Sequence, residues 1–263
     1  MRAQADKAAA FRALHEGPPF VIPNPWDAGS ARVFEGLGFE ALATTSSGFA
    51  FTLGRRDGSV SLDEVAAHVT ALNEATELPV SVDLENGYGP DPADAARAIE
   101  RAAAAGAVGG SIEDYDSDRG LYPLEQAVAR VAAAVEAARA LAFPFTLTAR
   151  AENHLRKNPD LDDTIARLRA YADVGADVLY APGLRTTDQI RAVCDAASKP
   201  VNVLALPGMT LREIVAGGAQ RISVGGGLAW VAAGAAIAAA TAIRDGGDFS
   251  VLAVDASPTT LFR

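Results

Sequence analysis

Three short stretches of this sequence close on acidic side chains. Val80-Ser81-Val82-Asp83-Leu84-Glu85 carries two carboxylates two residues apart, which in extended chain point to one side. Ser111-Ile112-Glu113-Asp114 is the second, and Thr148-Ala149-Arg150-Ala151-Glu152 is the third, with an arginine beside its acid. Asp57 adds another carboxylate in the segment Leu53-Gly54-Arg55-Arg56-Asp57-Gly58. Acids gathered at one place repel each other unless a cation sits among them. Hard carboxylate oxygens with no Cys or His nearby suit Mg2+ or Mn2+ rather than Zn2+. Magnesium keeps most of its waters, so one direct carboxylate and several outer ones would suffice. Arg150 would offer a planar fork to a substrate carboxylate or phosphoryl group. One acid alone is more often a solvated loop residue; the cluster together with an arginine favours a site.

Other polar residues carry less. Thr45-Ser46-Ser47-Gly48 fits either an oxyanion-binding loop of N–H groups and hydroxyls or a plain polar turn. His15 and His68 fall in helical segments and are expected at the surface; His154, just past Arg150, is within reach of the acidic cluster. Cys194 sits in a helical segment as a small packed residue, and no Ser/His/Asp order suggests a hydrolase triad.

Positioning these groups requires a scaffold, and the chain supplies an alternating one. Strands are expected at Phe20–Ile22, Ala41–Thr44, Val80–Asp83, Gly109–Ile112, Phe145–Thr148, Asp177–Tyr180, Val201–Leu204 and Arg221–Val224. They are short and read as apolar on both faces, as a helix-covered parallel sheet requires. Helices are expected near Ala28–Leu37, Ser61–Thr76, Asp91–Ala105, Pro123–Leu141, Leu161–Val174, Thr186–Ala197, Thr210–Ala216 and Leu228–Arg244, with an extra one before the first strand, about Ala3 to His15. Gly38, Gly106, Gly175 and Gly218 each stand between a helix and the next strand, where a left-handed residue lets the chain turn back. Ser61 with Glu64 forms a capping-box pattern, and proline opens the helices after Asp91 and Tyr122.

Eight strands and eight helices over 263 residues match a single (β/α)8 TIM barrel, one domain spanning 1–263. An open doubly wound sheet would carry a glycine fingerprint after its first strand; here that turn reads Pro23-Asn24-Pro25-Trp26-Asp27-Ala28-Gly29-Ser30. In a barrel, the acidic segments lie at the C-terminal strand ends, where active sites form.

Bulk composition narrows the partners. With 23 Lys and Arg against 33 Asp and Glu, the net charge is −10, which opposes nucleic-acid binding and makes a local cation necessary for any anionic substrate. A lone cysteine and an N-terminus without a signal-peptide pattern point to the cytoplasm. Gly225 to Ile243 is apolar, but its Ala and Gly content reads as a buried or oligomer-facing helix rather than a membrane span.

The sequence also resembles the phosphoenolpyruvate mutase/isocitrate lyase superfamily. The resemblance is carried by Trp26-Asp27-Ala28-Gly29-Ser30-Ala31, Thr44-Thr45-Ser46-Ser47-Gly48, Leu53–Gly58, Asp83-Leu84-Glu85-Asn86-Gly87-Tyr88-Gly89, Ile112-Glu113-Asp114, Thr148-Ala149-Arg150 and Val201-Asn202. It implies an α-oxyacid site with Mg2+. Asp83 matches the direct metal ligand; Glu85, Asp57 and Glu113 match acids that hold metal-bound waters. Thr45, Ser46, Ser47 and Gly48 match the loop on the substrate's oxygens, Arg150 a substrate-binding arginine, and Asn202 a polar residue near the substrate. Arg150 and Asp57 are the residues expected to carry the chemistry. The implied assembly is a dimer or tetramer made by exchange of the last barrel helix, here Leu228–Arg244.

One segment departs from the family. Its carbon–carbon lyases carry Lys-Lys/Arg-Cys-Gly-His after the fourth strand, whereas this chain has Asp114-Tyr115-Asp116-Ser117-Asp118-Arg119-Gly120-Leu121-Tyr122. The lyases place a glutamate after the sixth strand, where Tyr180-Ala181-Pro182-Gly183 stands. The expected activity is therefore a Mg2+-dependent lyase on C–C or C–P bonds of a 2-oxo or 2-hydroxy acid, with oxaloacetate-like decarboxylation or retro-aldol cleavage open. A phosphonomutase or phosphonopyruvate hydrolase and a non-catalytic oxyacid-binding barrel are the alternatives.

Overall fold

The structure is a computed structural model that describes residues 2–254 and 257–262. Its strands are β1 (Phe20–Ile22), β2 (Leu42–Ala43), β3 (Val80–Asp83), β4 (Gly109–Glu113), β5 (Tyr115–Asp116), β6 (Gly120–Leu121), β7 (Thr146–Arg150), β8 (Val178–Tyr180), β9 (Val201–Leu204) and β10 (Arg221–Ser223). Eight of them form one sheet in the order β1-β10-β9-β8-β7-β4-β3-β2, with every pairing parallel; β5 and β6 make a separate antiparallel hairpin. The helices are α1 (Gln4–Leu14), α2 (Ala28–Gly36), α3 (Ser46–Thr52), α4 (Leu62–Ala75), α5 (Pro92–Ala104), α6 (Leu124–Ala140), α7 (Leu161–Asp173), α8 (Thr187–Ala196), α9 (Leu211–Ala216) and α10 (Gly227–Gly246). The architecture is a nearly closed (β/α)8 barrel.

Sequence boundaries held to within a residue or two. The four inter-element glycines adopt φ of +87° (Gly38), +103° (Gly106), +105° (Gly175) and +98° (Gly218), where a side chain would be strained. The Ser61–Glu64 capping box is present, as is proline in the first turn of α5; Pro123 instead stands just ahead of α6, as its cap.

One expectation about the strands fails instructively. They are not apolar on both faces. Leu147 and Ala149 of β7, Ile222 of β10 and Val201 and Val203 of β9 face the helix layer. Their neighbours Thr148, Arg150, Asn202, Arg221 and Ser223 face the barrel interior with Ser81 and Asp83. Much of that polarity is paired internally: Arg221 donates to Asn202 and Thr148, Asn202 donates to Ser223, and Arg150 meets Asp83. α1 covers the N-terminal end of the barrel, where Ala8 and Phe11 join Phe20, Ile22, Ala41 and Val108 in a fully apolar plug.

The ladder stops between β1 and β2, and a side chain bridges the gap. Asn24 donates from Nδ2 to the Thr44 carbonyl at 3.0 Å and accepts at Oδ1 from the Val224 N–H at 2.9 Å. The Ala43 N–H donates to the Pro23 carbonyl at 3.1 Å beside it. Asn24→Ala leaves two buried backbone groups unpaired, so we expect a loss of about 2–5 kcal/mol, read as a lowered denaturant midpoint with an unchanged m-value. A loss under about 0.5 kcal/mol would show that water takes over both bonds.

Candidate active site

The C-terminal strand ends bring the three acidic segments together. Asp83 closes β3, Glu113 closes β4 and Arg150 closes β7, and the β4–β7 register sets Glu113 directly beside Arg150. The Arg150 guanidinium engages three carboxylates: Nη1 lies 3.3 Å from Asp83 Oδ1, Nη2 3.1 Å from Glu113 Oε2, and Nε 2.5 Å from Glu152 Oε1. Arg156, in the loop after β7, adds contacts of 3.4 Å to Glu113 and 2.9 Å to Glu152, and lies over the Tyr115 ring at 3.8 Å.

Asp83 and Glu85 do share the mouth, but not for the reason alternation gave. β3 ends at Asp83, and Glu85 is left-handed with φ 48°. The turn folds Glu85 back, so its N–H donates to Asp83 Oδ1 at 3.2 Å and its carbonyl accepts from the Glu113 N–H at 2.8 Å. The Thr45–Gly48 segment is also more ordered than a polar turn. Thr45 caps α3, accepting from the Gly48 N–H at 3.3 Å, and the Ser46 N–H donates to Asp83 Oδ2 at 3.4 Å.

A cavity of about 200 Å³ lies inside these groups, lined by Thr45, Ser46, Ser47, Asp57, Asp83, Arg150 and Asn202 among others. It opens outward into a groove that holds Glu85, Tyr88, Glu113 and Arg156. Most of the residues picked out in the sequence thus converge on one place. Gly48 is buried one turn behind, against Trp26 and Ala229.

Other residues settle differently. Asp114 is a structural acid: its carboxylate accepts from the Glu152 N–H, Tyr171 Oη and Arg167 Nη1, at 2.8, 2.6 and 3.0 Å. His68 is buried and His15 half-buried, rather than at the surface; His68 stacks on Phe49 at 3.9 Å and His15 Nε2 lies 3.3 Å from Arg221 Nη1. Cys194 is half-buried in α8, and His154 makes no contact with the acids at the mouth among the described residues. Arg156, Arg221 and Ser223 went unnoticed in the sequence, and Tyr180 entered only as part of the stretch where the lyases carry a glutamate. Arg156 carried a faint signal, since it stands four residues after Glu152; Arg221 and Ser223 look like ordinary strand residues.

The electrostatics report too much negative charge. Burial, then Asp83 and Asp57, push the Glu85 carboxyl up to about 8. Burial is likewise the main cause that raises Glu113, with Glu152 and Asp83 adding to it and Arg150 and Arg156 opposing. The Tyr88 hydroxyl is buried beside these carboxylates without a hydrogen-bond partner. Oxygen donors in excess of their counter-charges, with an unpaired hydroxyl among them, fit a hydrated hard cation. Among the described residues no group of three or more His, Cys, Asp or Glu side chains is set to hold a metal ion.

A pH dependence follows. Glu85 has a folded pKa of about 8, above its unfolded value of 4.5, so the folded state holds its proton more tightly. Stability of the metal-free protein is then fullest below about pH 4.5, apart from other groups, and falls as pH rises toward 8. Glu85→Gln should flatten that decline in Tm measured in EDTA; an unchanged slope would count against the assignment.

The loop that carries a cysteine in the family's lyases is here the β5–β6 hairpin. Asp116 pins it, accepting from the N–H groups of Asp118 and Arg119 at 2.9 and 3.1 Å, while Tyr122 Oη donates to it at 3.2 Å. Asn86 Nδ2 reaches both Asp116 and Tyr122, tying the hairpin to the turn after β3.

With this geometry in hand, the family model for phosphoenolpyruvate phosphomutase matches residues 11–244. The chain belongs to that family. A solved protein of Burkholderia cenocepacia J2315, described as a candidate lyase/mutase, superposes with a TM-score of 0.94 at 53% identity, covering 98% of this chain and 95% of that one. Oxaloacetate decarboxylase of Rhodopseudomonas palustris (strain TIE-1) is 31% identical over 74% of this chain and 70% of its own length. Oxaloacetate acetylhydrolase, solved with its product oxalate, superposes with a TM-score of 0.89 at 27% identity, over 100% of this chain and 94% of that one. The resemblance drawn from the motifs therefore stands, as does the barrel. In this phosphoenolpyruvate phosphomutase-family barrel, Asp83, Glu113 and Arg150 are the strand-end groups around which the rest of the site is arranged.

Proposed function

We propose that the protein is a Mg2+-dependent lyase that breaks a C–C bond of a small 2-oxo or 2-hydroxy acid by way of an enolate. The observation that carries this is the small cavity in which Asp83, Arg150, Asn202 and the Thr45–Ser47 turn face one another. Asp83 would hold the metal directly, and Asp57, Glu85 and Glu113 its waters; Mn2+ can substitute on the same oxygen donors. When bound, the metal supplies positive charge to the oxygen on which the enolate's negative charge collects. The Ser47 N–H and the Ser46 and Ser47 hydroxyls, at the start of α3, would orient the substrate carboxylate. Arg150, already held by three carboxylates, keeps the acids at fixed distances as well as meeting the anion.

Similarity to an oxaloacetate decarboxylase and an oxaloacetate acetylhydrolase points to oxaloacetate or a close relative as substrate. The hairpin in place of the cysteine loop argues for decarboxylation or retro-aldol cleavage that needs only enolate stabilisation. The test is turnover of oxaloacetate and of phosphonopyruvate with Mg2+. Consumption of oxaloacetate that EDTA abolishes is the expected result. Phosphonopyruvate turnover alone would move the assignment to C–P chemistry, and tight oxalate binding without turnover of either would make the barrel a binding protein.

We also propose a soluble cytoplasmic homo-oligomer. α10 is long and apolar enough by composition to cross a membrane, and is not the buried helix that was one reading of its sequence. Its Val231 and Ile237 are each 68% exposed and Trp230 48%, with Ala229 its one buried residue. Its alanines permit close helix approach, so a second copy of the chain is the fitting cover. Light scattering should give a dimer or tetramer at micromolar concentration, and Ile237→Asp should dissociate it; a monomeric wild type would refute this.

A further inference from the structure

An enolate must be protonated, and the residue that does so in the family's cysteine-bearing lyases has no counterpart in the β5–β6 hairpin. We propose that Tyr180 is the proton donor, passing its Oη–H to the carbon freed when the C–C bond breaks. This rests on the enolate reading above and extends it to a residue in the cavity itself.

Tyr180 closes β8 and lines the same cavity as Asp83, Arg150 and Asn202. No histidine, cysteine or lysine lines that cavity among the described residues. Its serine and threonine hydroxyls hold their protons too tightly, Asp57 and Asp83 belong to the metal's donors, Arg150 is held by three carboxylates, and Arg221, which burial lowers to about 10, has its N–H groups engaged by Asn202, Thr148 and His15. The phenol is the remaining lining group with an acidic O–H. It also opens the stretch Tyr180-Ala181-Pro182-Gly183, which stands where the lyases carry a glutamate after the sixth barrel strand.

Its surroundings suit the loss and recovery of a proton. The Arg150 guanidinium carbon lies 5.4 Å from the ring centroid. Burial raises the phenol, so it rests protonated, while Arg150 and a hydrogen bond with Ser223 act the other way and stabilise the phenolate. Arg221 is close enough to feel that phenolate, and is a buried cation without a carboxylate partner among the described residues. Its bonds go to neutral groups: Nε donates to Asn202 Oδ1 at 2.9 Å, Nη2 donates to Thr148 Oγ1 at 2.9 Å, and Nη1 meets His15. Asn202 in turn donates to Ser223 Oγ at 3.0 Å, so the serine that holds the phenol is itself fixed. One guanidinium over the ring, a second within electrostatic reach and a fixed hydroxyl thus favour a phenol that is neutral at rest and negative only after proton transfer.

The step balances. The C–C bond to the departing carboxylate breaks, its electron pair stays on the substrate carbon and spreads to the 2-oxo oxygen, and CO2 leaves. The pair then takes the proton from Tyr180 Oη to form a C–H bond, and the phenolate recovers a proton from water.

The reverse of this step is measurable with pyruvate, Mg2+ and D2O, as loss of the methyl proton signal by NMR. The wild type should exchange, and Tyr180→Phe should exchange at least about 100-fold more slowly. Oxalate affinity in Mg2+, measured by calorimetry, should change less than about twofold in that variant, which also confirms that it folds. Ser223→Ala should slow exchange by about tenfold or less, as loss of one hydrogen bond to the phenol would. Exchange at the wild-type rate in Tyr180→Phe overturns the proposal. So does loss of oxalate binding, which would make Tyr180 a binding residue. If the wild type neither binds oxalate nor exchanges pyruvate, the enolate reading falls and this step falls with it.

Discussion

Asp83→Ala should lower turnover by at least about 10³-fold and remove Mg2+ binding, while leaving the barrel folded. Asp83 is the carboxylate on which the site's other parts converge. Its Oδ1 accepts from the Glu85 N–H and faces Arg150, and its Oδ2 accepts from the Ser46 N–H. The strand end, the turn after it and the start of α3 all meet on this one group. Alanine removes the proposed direct metal ligand and lets the α3 turn move relative to the acids. Asp83→Asn keeps the shape and the backbone bond at its one remaining oxygen but loses the charge, so it separates loss of charge from loss of the side chain. It should fold as well as the wild type and still bind Mg2+ poorly, by calorimetry. Full activity in Asp83→Ala, or in EDTA, would sink the metal assignment.

Arg150→Met should be the most destabilising single change at the mouth. The guanidinium side chain is 14% exposed, and its partners Asp83, Glu113 and Glu152 are 16%, 9% and 0% exposed. Removing one member of a buried ionic cluster costs about 3–5 kcal/mol, because the remaining charges are left without compensation. At roughly 2–4 °C per kcal/mol for a chain of this length, Tm should fall by about 6–20 °C. Arg150→Lys should rescue little of it, since one ammonium on a flexible stem cannot meet three carboxylates held in a plane. Glu113 holds its proton more firmly than an ordinary glutamate even with Arg150 present. Without the arginine, the carboxylates must either protonate or repel. The penalty should therefore shrink as pH falls and grow as it rises, checked by Tm against pH in EDTA. A drop under about 2 °C at pH 8 would show that water already compensates these acids.

The two variants differ in a useful way. Asp83→Ala removes charge from an overly negative site and chiefly harms chemistry. Arg150→Met removes the compensating charge and harms stability first.

Much of this was legible from local rules. Alternating apolar runs, capping boxes and the glycines after helices fix the order and length of the strands and helices, because each depends on a few neighbouring residues. The acidic strand ends and Arg150 were legible for the same reason: residue type, plus a position at the end of a strand, locates them at the barrel mouth.

Other features depended on contacts distant in sequence. Glu85 shares a mouth with Asp83 through a left-handed turn, not through strand alternation. Arg221 is buried among Asn202, Thr148 and His15, residues 19, 73 and 206 positions away. The surface assignment of His15 and His68 failed because helical periodicity shows which residues share a face but not what packs against it. Tyr180 and Ser223 come close only because β8, β9 and β10 are adjacent in the sheet. By itself, the sequence determined that this is a barrel with an acidic mouth. Only the tertiary structure decided that its interior is polar, and which side chains, brought together by barrel closure, face the cavity where an enolate would form.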